Sequence, residues 1–201
     1  MAMGEAPFAI RQEGLAPQQS SRRAEGVNVA GKLVFEGRCW KFGHNIPTDA
    51  ITPTHVMFKT AREMAAFVLE TVHPEFPKHV QPGDILVAGR NFGCSSGRAL
   101  AAKALQATGI GCVVAELIAR TFYRNGHEIG LPLLELAGVS ALVEDGDRLR
   151  VDIRAATLEN LTSGKSLQGQ PPAEFLLEMV AAGGLIPLLK TGSPFFKGLP
   201  R

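Results

Sequence analysis

The stretch that decides the fold runs from Asp84 to Ala115, DILVAGRNFGCSSGRALAAKALQATGIGCVVA. An apolar run closed by glycine, residues 84–89, predicts a buried strand. An Ala- and Leu-rich segment, residues 98–108, predicts a helix that ends at Gly109. A second apolar run, residues 111–115, predicts another buried strand. Strand, loop, helix and strand in about thirty residues predict a parallel β-α-β unit with a right-handed crossover.

Upstream and downstream segments add further elements to this unit. Residues 32–40 have a strand-like pattern. Apolar side chains at helical spacing predict a helix over residues 60–72, and residues 116–125 predict another. Residues 43–49 are a run of turn formers, and residues 73–82 contain three prolines, so both predict loops.

The last third of the chain has a different pattern. Residues 130–136 predict a strand, and residues 147–153 predict a second strand because apolar and polar side chains alternate there. Residues 157–167 have Ser163-Gly164 at their centre and predict a hairpin. Residues 171–182 begin with prolines, which the first turn of a helix tolerates, and predict a helix that ends at two glycines.

These elements fit one α/β domain with a mixed sheet over about residues 29–190, a size that suits a chain of 201 residues. Residues 1–28 are rich in Gln, Ser, Arg, Ala and Gly, and they predict a flexible N-terminal tail. Residues 191–201 predict a C-terminal tail.

Composition narrows the class of partner and the compartment. The formal net charge is +2 and no basic stripe is visible, so we predict no nucleic-acid partner. No apolar stretch reaches membrane-spanning length and no secretory signal is visible, so we predict no membrane contact. Cys39, Cys94 and Cys112 are too widely spaced for a disulfide scaffold or a clustered metal motif, which favours a reducing cytoplasm and no metal bound by this chain.

The loop at residues 89–98, GRNFGCSSGR, is the candidate functional segment. It joins a strand to a helix, the position at which α/β sheets bind ligands. Its glycines allow close approach of the backbone, and the helix N-terminus favours an anion. Arg98 adds a planar donor suited to carboxylate or phosphate, and Ser95 and Ser96 add hydroxyl groups. An ordinary helix N-cap is the alternative that these residues leave open.

Residues 91–98, NFGCSSGR, resemble the active-site loop of the small subunit of isopropylmalate isomerase, usually NFGCGSSREHA. Residues 40–53 resemble that family's FGDNIDTDxIxP segment, and residues 119–132 resemble its ARxFYRNAxNIGLP segment. Residues 182–186 match its AGGLI. Four segments in the family's order cover about residues 31–190, so the chain is identified as a divergent member of this family, within the aconitase superfamily.

The resemblance implies the swivelling β/β/α three-layer fold with a mixed sheet. It implies a separate large subunit that binds a 4Fe–4S cluster, with no cofactor bound by this chain alone. It also implies a hydro-lyase reaction on a substituted malate resembling isopropylmalate, in which water is removed and then added back. Whether the isolated chain forms a homo-oligomer stays open.

The resemblance also implies site residues. Ser96 matches the serine that removes the carbon-bound proton, and Arg98 matches the arginine that pairs with a substrate carboxylate. Ser95 and Gly97 flank them as substrate-binding positions. Residues 54–60 occupy the place of the family's specificity loop. Within it Val56, Met57 and Phe58 suit an apolar substituent and Lys59 suits a carboxylate, with a plain surface loop as the alternative.

Several positions depart from the family pattern. Another register makes Ser95 the base; we prefer Ser96 because it keeps Arg98 two residues later. Ala99-Leu100 replaces the family's Glu-His, and His44 and Pro47 replace two acidic residues. These departures leave a second function open, a regulatory or assembly subunit that keeps the fold without chemistry. A stand-alone anion-binding domain is a third.

Overall fold

The computed structural model describes residues 33–191. The predicted N-terminal tail at 1–28 lies outside that range, as does the predicted C-terminal tail at 191–201 except for Thr191. Seven strands form one mixed sheet in the order β4-β3-β2-β1-β5-β6-β7. The strands are β1 (Val34–Lys41), β2 (Ile85–Phe92), β3 (Cys112–Ile118), β4 (Leu133–Glu135), β5 (Arg148–Asp152), β6 (Thr157–Asn160) and β7 (Ser166–Gln168). Among these residues the helices are α1 (Thr48–Ile51), α2 (Ala61–Met64), α3 (Phe76–His79), α4 (Ala99–Ala107), α5 (Arg120–Glu128), α6 (Val139–Leu142), α7 (Glu174–Ala181) and α8 (Leu185–Lys190).

The predicted β-α-β unit is confirmed. Strands β2 and β3 are parallel neighbours, in register from Ile85 opposite Cys112 to Ala88 opposite Ala115, and α4 connects them. Strands β1 and β4 also run parallel to their neighbours in this half. The predicted hairpin is confirmed too, since β6 and β7 pair antiparallel around the turn at Gly164.

Strand β1 joins the two halves of the sheet. Its first residues pair antiparallel with β5 and its last residues pair parallel with β2. Successive residues of β2 contribute to two different core clusters: Leu86 and Ala88 to one, Ile85 and Val87 to the other. The second cluster also contains Leu149, Val151 and Leu158 of the antiparallel strands. The sheet is therefore curled, with α4 and α5 on one face of the parallel half and the antiparallel strands, together with α6, against the other. This is the predicted β/β/α arrangement.

The predicted helix over residues 60–72 is wrong in its second half. A capping box at Thr60 and Glu63 starts α2, but α2 ends at Met64 and a short 3-10 turn follows. Leu69 then adopts the left-handed region at φ 59, and its N–H donates to the carbonyl of Ile51. Met64, Val68 and Leu69 are all buried, so the sequence has apolar residues at helical spacing. The three residues nevertheless do not belong to one continuous helix.

Other boundaries move because strands extend beyond their apolar runs. Strand β2 continues to Phe92 and β3 to Ile118, so the loop predicted from residue 90 is shorter and the helix predicted from residue 116 begins at Arg120. The two strands pair through a bulge between Arg90 and Phe92, and Ala119 N donates to Phe92 O. Short helices α1, α3, α6 and α8 were not predicted. Apolar periodicity is a weak signal over four to six residues.

Candidate active site

The candidate loop lies between the carboxyl end of β2 and the first turn of α4. Three of its residues have left-handed backbones: Asn91 (φ 68), Gly93 (φ 76) and Ser95 (φ 81). Gly93 is required there, since a Cβ at this position would lie 2.3 Å from Cγ of the Phe122 ring. Left-handed Asn and Ser are held by surrounding contacts and cluster at functional sites.

A second segment, residues 42–48, runs beside this loop and brings α1 to it. Gly93 N donates to Ile46 O at 2.8 Å, and Thr48 N donates to Cys94 O at 2.9 Å. These backbone hydrogen bonds continue the parallel pairing of β1 and β2 beyond the ends of the strands. The first residues of α1 therefore face the serines of the loop.

The Ser96 hydroxyl sits between two polar partners. Its Oγ shares a 2.8 Å hydrogen bond with Oγ1 of Thr48, which is buried, and it accepts a hydrogen bond from Nε of Arg98 at 3.2 Å. Ser95 is exposed, and within residues 33–191 its hydroxyl has no hydrogen bond. Of the two serines, Ser96 is therefore the one whose hydroxyl has hydrogen-bond partners among the described residues.

The ordinary N-cap alternative does not describe this loop. The N-cap residue of α4 is Arg98, and no side chain caps the helix. The serine hydroxyls are therefore not used to satisfy the first N–H groups of α4. Asn125, which is buried on α5, instead donates to the carbonyl of Gly97 at 2.9 Å and fixes that peptide.

The guanidinium of Arg98 contacts three neighbouring side chains. Its Nη2 donates to Asp49 Oδ1 at 2.5 Å, its Nε reaches Ser96, and its Nη1 lies 4.0 Å from Met57 Sδ. Both members of the Arg98–Asp49 pair are about half exposed, so the ion pair faces solvent. Nη1 is the edge of the guanidinium that has no oxygen partner in the described chain, and it is open to a carboxylate.

A small pocket adjoins this guanidinium. Its lining combines polar residues with apolar ones: Thr48, Asp49, Thr52 and Arg98, together with Met57, Leu100 and Ala101. The Thr52 hydroxyl is buried without a hydrogen-bond partner in residues 33–191. An unpaired buried hydroxyl is costly and suits a position at which a ligand or water completes the bonding.

The four residues predicted from the specificity loop lie in different environments. Met57 lies in the pocket wall, and Lys59 is exposed. Phe58 is 96% exposed, beside the site and without packing of its own. Val56 is fully buried in the core on the α4 side of the sheet, so its side chain supports the loop from below.

Reasoning from residue types did not predict that Thr48, Asp49 and Thr52 lie beside Ser96 and Arg98. None stands out by type or spacing, because the first two are ordinary turn residues. The one signal for them was their position inside the segment that resembles FGDNIDTDxIxP. Leu100 was identified in the sequence only as a difference from the family pattern, and in the structure it lines the pocket.

The cysteines do not form a cluster site. Among the described residues no group of three or more His, Cys, Asp or Glu side chains could hold a metal. Cys39 and Cys112 are buried in the core, and burial, with nearby Asp145 and Asp147, raises the pKa of the Cys39 thiol to about 12. The residues present therefore do not fit a 4Fe–4S cluster within this part of the chain. No helix among the described residues is long and apolar enough to span a bilayer.

The chain matches the profile of a known protein domain. The profile described as Aconitase C-terminal domain matches residues 28–138, which include the loop, Thr48 and Asp49. The fold and the site thus define an aconitase C-terminal domain.

Individual relatives give the particular family. The chain is 48% identical over 160 residues to the isopropylmalate/citramalate isomerase small subunit of Methanocaldococcus jannaschii, covering 79% of this chain and 95% of that one. It is 41% identical over 165 residues to the 3-isopropylmalate dehydratase small subunit of Ruminiclostridium cellulolyticum, covering 82% and 98%. A crystal structure of 3-isopropylmalate dehydratase from M. jannaschii superposes with a TM-score of 0.75 at 35% identity, over 79% and 95%. The chain belongs to the family of 3-isopropylmalate dehydratase small subunits.

Proposed function

We propose that this chain forms a heteromer with a large subunit carrying a 4Fe–4S cluster, and that the complex removes and re-adds water on a substituted malate. The family membership supports a dehydratase or isomerase subunit. The observation that carries the finer proposal is the contact of Ser96 Oγ with both Thr48 and Arg98. The cytoplasm is the compartment we propose for it.

Ser96 is the proposed base for the carbon-bound proton. A serine alkoxide is unfavourable near neutral pH, so its negative charge has to be stabilised by fixed donors. Nε of Arg98 and the hydroxyl of Thr48 both lie within hydrogen-bond distance of the oxygen. Together these two groups stabilise the deprotonated oxygen, and the proton taken from the substrate carbon ends on Ser96 Oγ, which becomes a neutral hydroxyl.

Arg98 is the proposed carboxylate contact. Asp49 occupies Nη2, which holds the guanidinium in place, while Nη1 remains available. Ser95 and Gly97 contribute backbone and hydroxyl contacts at the rim of the same loop. Lys59 is exposed at the edge of the site and suits the second carboxylate of a malate.

The substituent of the malate would contact the apolar wall. Met57, Leu100 and Ala101 are the apolar residues that line the pocket, and Phe58, next to Met57 in the chain, is exposed. Apolar side chains next to a carboxylate site favour an alkyl malate over an unsubstituted one. The cluster of the large subunit, when bound, supplies a Lewis acid for the departing hydroxyl.

The test is turnover of the complex, assembled anaerobically with its large subunit, on a panel of alkyl malates and the corresponding unsaturated acids. We expect activity on at least one alkyl malate, and Ser96→Ala should reduce kcat about a thousandfold with the complex intact. Ser166→Ala, on the exposed strand β7, is the matched control. Full turnover by Ser96→Ala would refute the role of the serine. A well-formed complex with an intact cluster that is silent on the whole panel would favour the regulatory subunit instead.

A further inference from the structure

The turn after β1 carries a histidine whose ring lies on the backbone of β2. A Cβ at Gly89 would lie 2.5 Å from Nδ1 of His44, so only glycine leaves room for the ring. The backbone N–H of Arg90 donates to the same Nδ1 at 2.9 Å. Because a backbone N–H is always a donor, Nδ1 carries no proton, and the proton of the neutral ring is on Nε2.

This side-chain contact completes a ladder of backbone hydrogen bonds between residues 42–48 and the end of β2. The ladder consists of Phe42 N to Val87 O (2.7 Å), Gly89 N to Gly43 O (3.1 Å), Asn45 N to Arg90 O (2.8 Å), Gly93 N to Ile46 O (2.8 Å) and Thr48 N to Cys94 O (2.9 Å). In the middle of this series the acceptor for the N–H of Arg90 is an imidazole nitrogen instead of a carbonyl oxygen.

The backbone beside the histidine is strained on both strands of the ladder. Asn45 (φ 56) and Asn91 (φ 68) are both left-handed, and Nδ2 of Asn91 donates to Oδ1 of Asn45 at 3.0 Å. Such conformations persist only where neighbouring contacts hold them. The ladder ends at Thr48, whose hydroxyl contacts Ser96. Its register therefore sets the distance between these two hydroxyls.

We propose that His44 is a positioning residue for the reaction, and that it acts as a neutral hydrogen-bond acceptor which keeps residues 42–48 in register with the active-site loop. This inference rests on the proposed role of Ser96. It also gives a physical account of one departure from the family pattern. The family has an acidic residue at this position, and a carboxylate accepts a backbone N–H as an imidazole nitrogen does. The residue type differs while the acceptor is retained.

Four substitutions at His44 separate acceptor chemistry from packing. His44→Asn and His44→Asp keep an acceptor near the position of Nδ1, whereas His44→Gln moves it outward and His44→Leu removes it while covering Gly89. In the assembled complex we expect the first two to stay within about threefold of the parent kcat, and the last two to lose about thirtyfold or more. His79→Leu, an exposed histidine on α3, is the control and should change nothing.

The opposite ranking would overturn the proposal. If ring packing on Gly89 were what matters, His44→Leu and His44→Gln would do better than His44→Asp. Equal activity in all four variants would also overturn it, because the acceptor would then have no role. Complex assembly and unfolding midpoints are measured for each variant, so that a loss of kcat is compared only among folded complexes.

A second measurement needs neither the large subunit nor turnover. Long-range proton–nitrogen correlation spectra of the full chain, labelled with nitrogen-15 in histidine, report which ring nitrogen carries the proton. The His44 signals are identified by their loss in His44→Gln. A proton on Nε2 with an unprotonated Nδ1 supports the contact, and a proton on Nδ1 overturns it. If Ser96→Ala keeps full turnover while this tautomer is observed, the proposed role of Ser96 fails and the contact of His44 with β2 still stands.

Discussion

The parallel and antiparallel halves of the sheet use their strands differently. Strands β2 and β3 are buried on both faces, and their carboxyl ends lead into the loop with Ser96 and into α5. Strands β5 and β6 bury one face and expose charged side chains on the other, among them Arg148, Arg150 and Glu159. Because both faces of β2 and β3 are covered, the loops that follow these strands lie at the carboxyl edge of the sheet, where α/β proteins bind ligands. Strands β5 and β6, which are buried on one face only, cover the core and carry an ion pair on the exposed face.

Two glycines with the same backbone conformation give the largest contrast between the halves. Gly93→Ala should destabilise the fold by about 4 kcal/mol, because φ is 76 and the new Cβ would overlap the Phe122 ring. Gly164→Ala, at φ 72 with nothing within 4 Å of the new Cβ, should cost about 1 kcal/mol. Urea unfolding measures both. Equal losses would mean that backbone strain alone decides, without packing.

Two arginine ion pairs test whether the halves differ in function. Arg98→Lys should lower kcat/KM about a hundredfold, since a single ammonium cannot reach Asp49, Ser96 and a carboxylate together. Arg148→Lys, which weakens the 2.9 Å contact with Glu36 on the antiparallel half, should leave kcat/KM unchanged. Steady-state kinetics of the two complexes decide this. A small effect of Arg98→Lys would remove the arginine from substrate binding.

Leu100 offers a test of the apolar wall. Leu100→His, which restores the family's residue, should lower the ratio of kcat/KM for isopropylmalate over citramalate about tenfold, because a polar ring replaces alkyl contact. Leu161→His, on an exposed leucine after β6, is the control. The panel assay supplies the ratio. An unchanged ratio in Leu100→His would place the substituent elsewhere.

Stability in weak acid should depend on the parallel half, which includes α5. Burial lowers the pKa of His127, partly offset by its hydrogen bond with the carbonyl of Tyr123, and its Nε2 has no partner among residues 33–191. A histidine with a lowered pKa stabilises the fold above the ordinary histidine pKa, and this contribution is lost as the pH falls below it.

Between pH 7 and pH 5.5, the parent should therefore lose about 1 kcal/mol of unfolding free energy more than His127→Gln does. His79→Gln, at an exposed position, should follow the parent. Urea titrations at the two pH values measure the difference. Parallel losses in parent and His127→Gln would mean that the acid sensitivity arises elsewhere.

Much of the fold was predictable where apolar runs are long and bounded. The runs over residues 84–89 and 111–115 gave the right strands, and the Ser163-Gly164 turn gave the right hairpin. Prediction failed where tertiary contacts interrupt a periodic pattern. The predicted helix over residues 60–72 stops at Met64, and beyond it the N–H of Leu69 donates to the carbonyl of Ile51, which lies 18 residues earlier in the chain.

The site divides in the same way. Ser95, Ser96 and Arg98 were predicted from the loop because it joins a strand to a helix, and the family resemblance favoured Ser96 because Arg98 follows it two residues later. Thr48 and Asp49 were not found from their chemistry, since Thr48 is 48 residues from Ser96 and nothing local joins them. Val56 was grouped with Met57 and Phe58 by hydrophobicity, which does not distinguish a core side chain from one that faces a ligand.

The sequence by itself determined the β-α-β unit, the position of the loop and the family, because each depends on patterns within short segments. Only the tertiary structure decided which side chains meet Ser96 and Arg98. The register between β1 and β2 brings α1 to the loop, and hydrogen bonds between distant backbone groups set that register. Contacts between residues far apart in the chain produce no local sequence pattern. The neighbours of Ser96 could therefore not be predicted from the sequence and are known only from the tertiary structure.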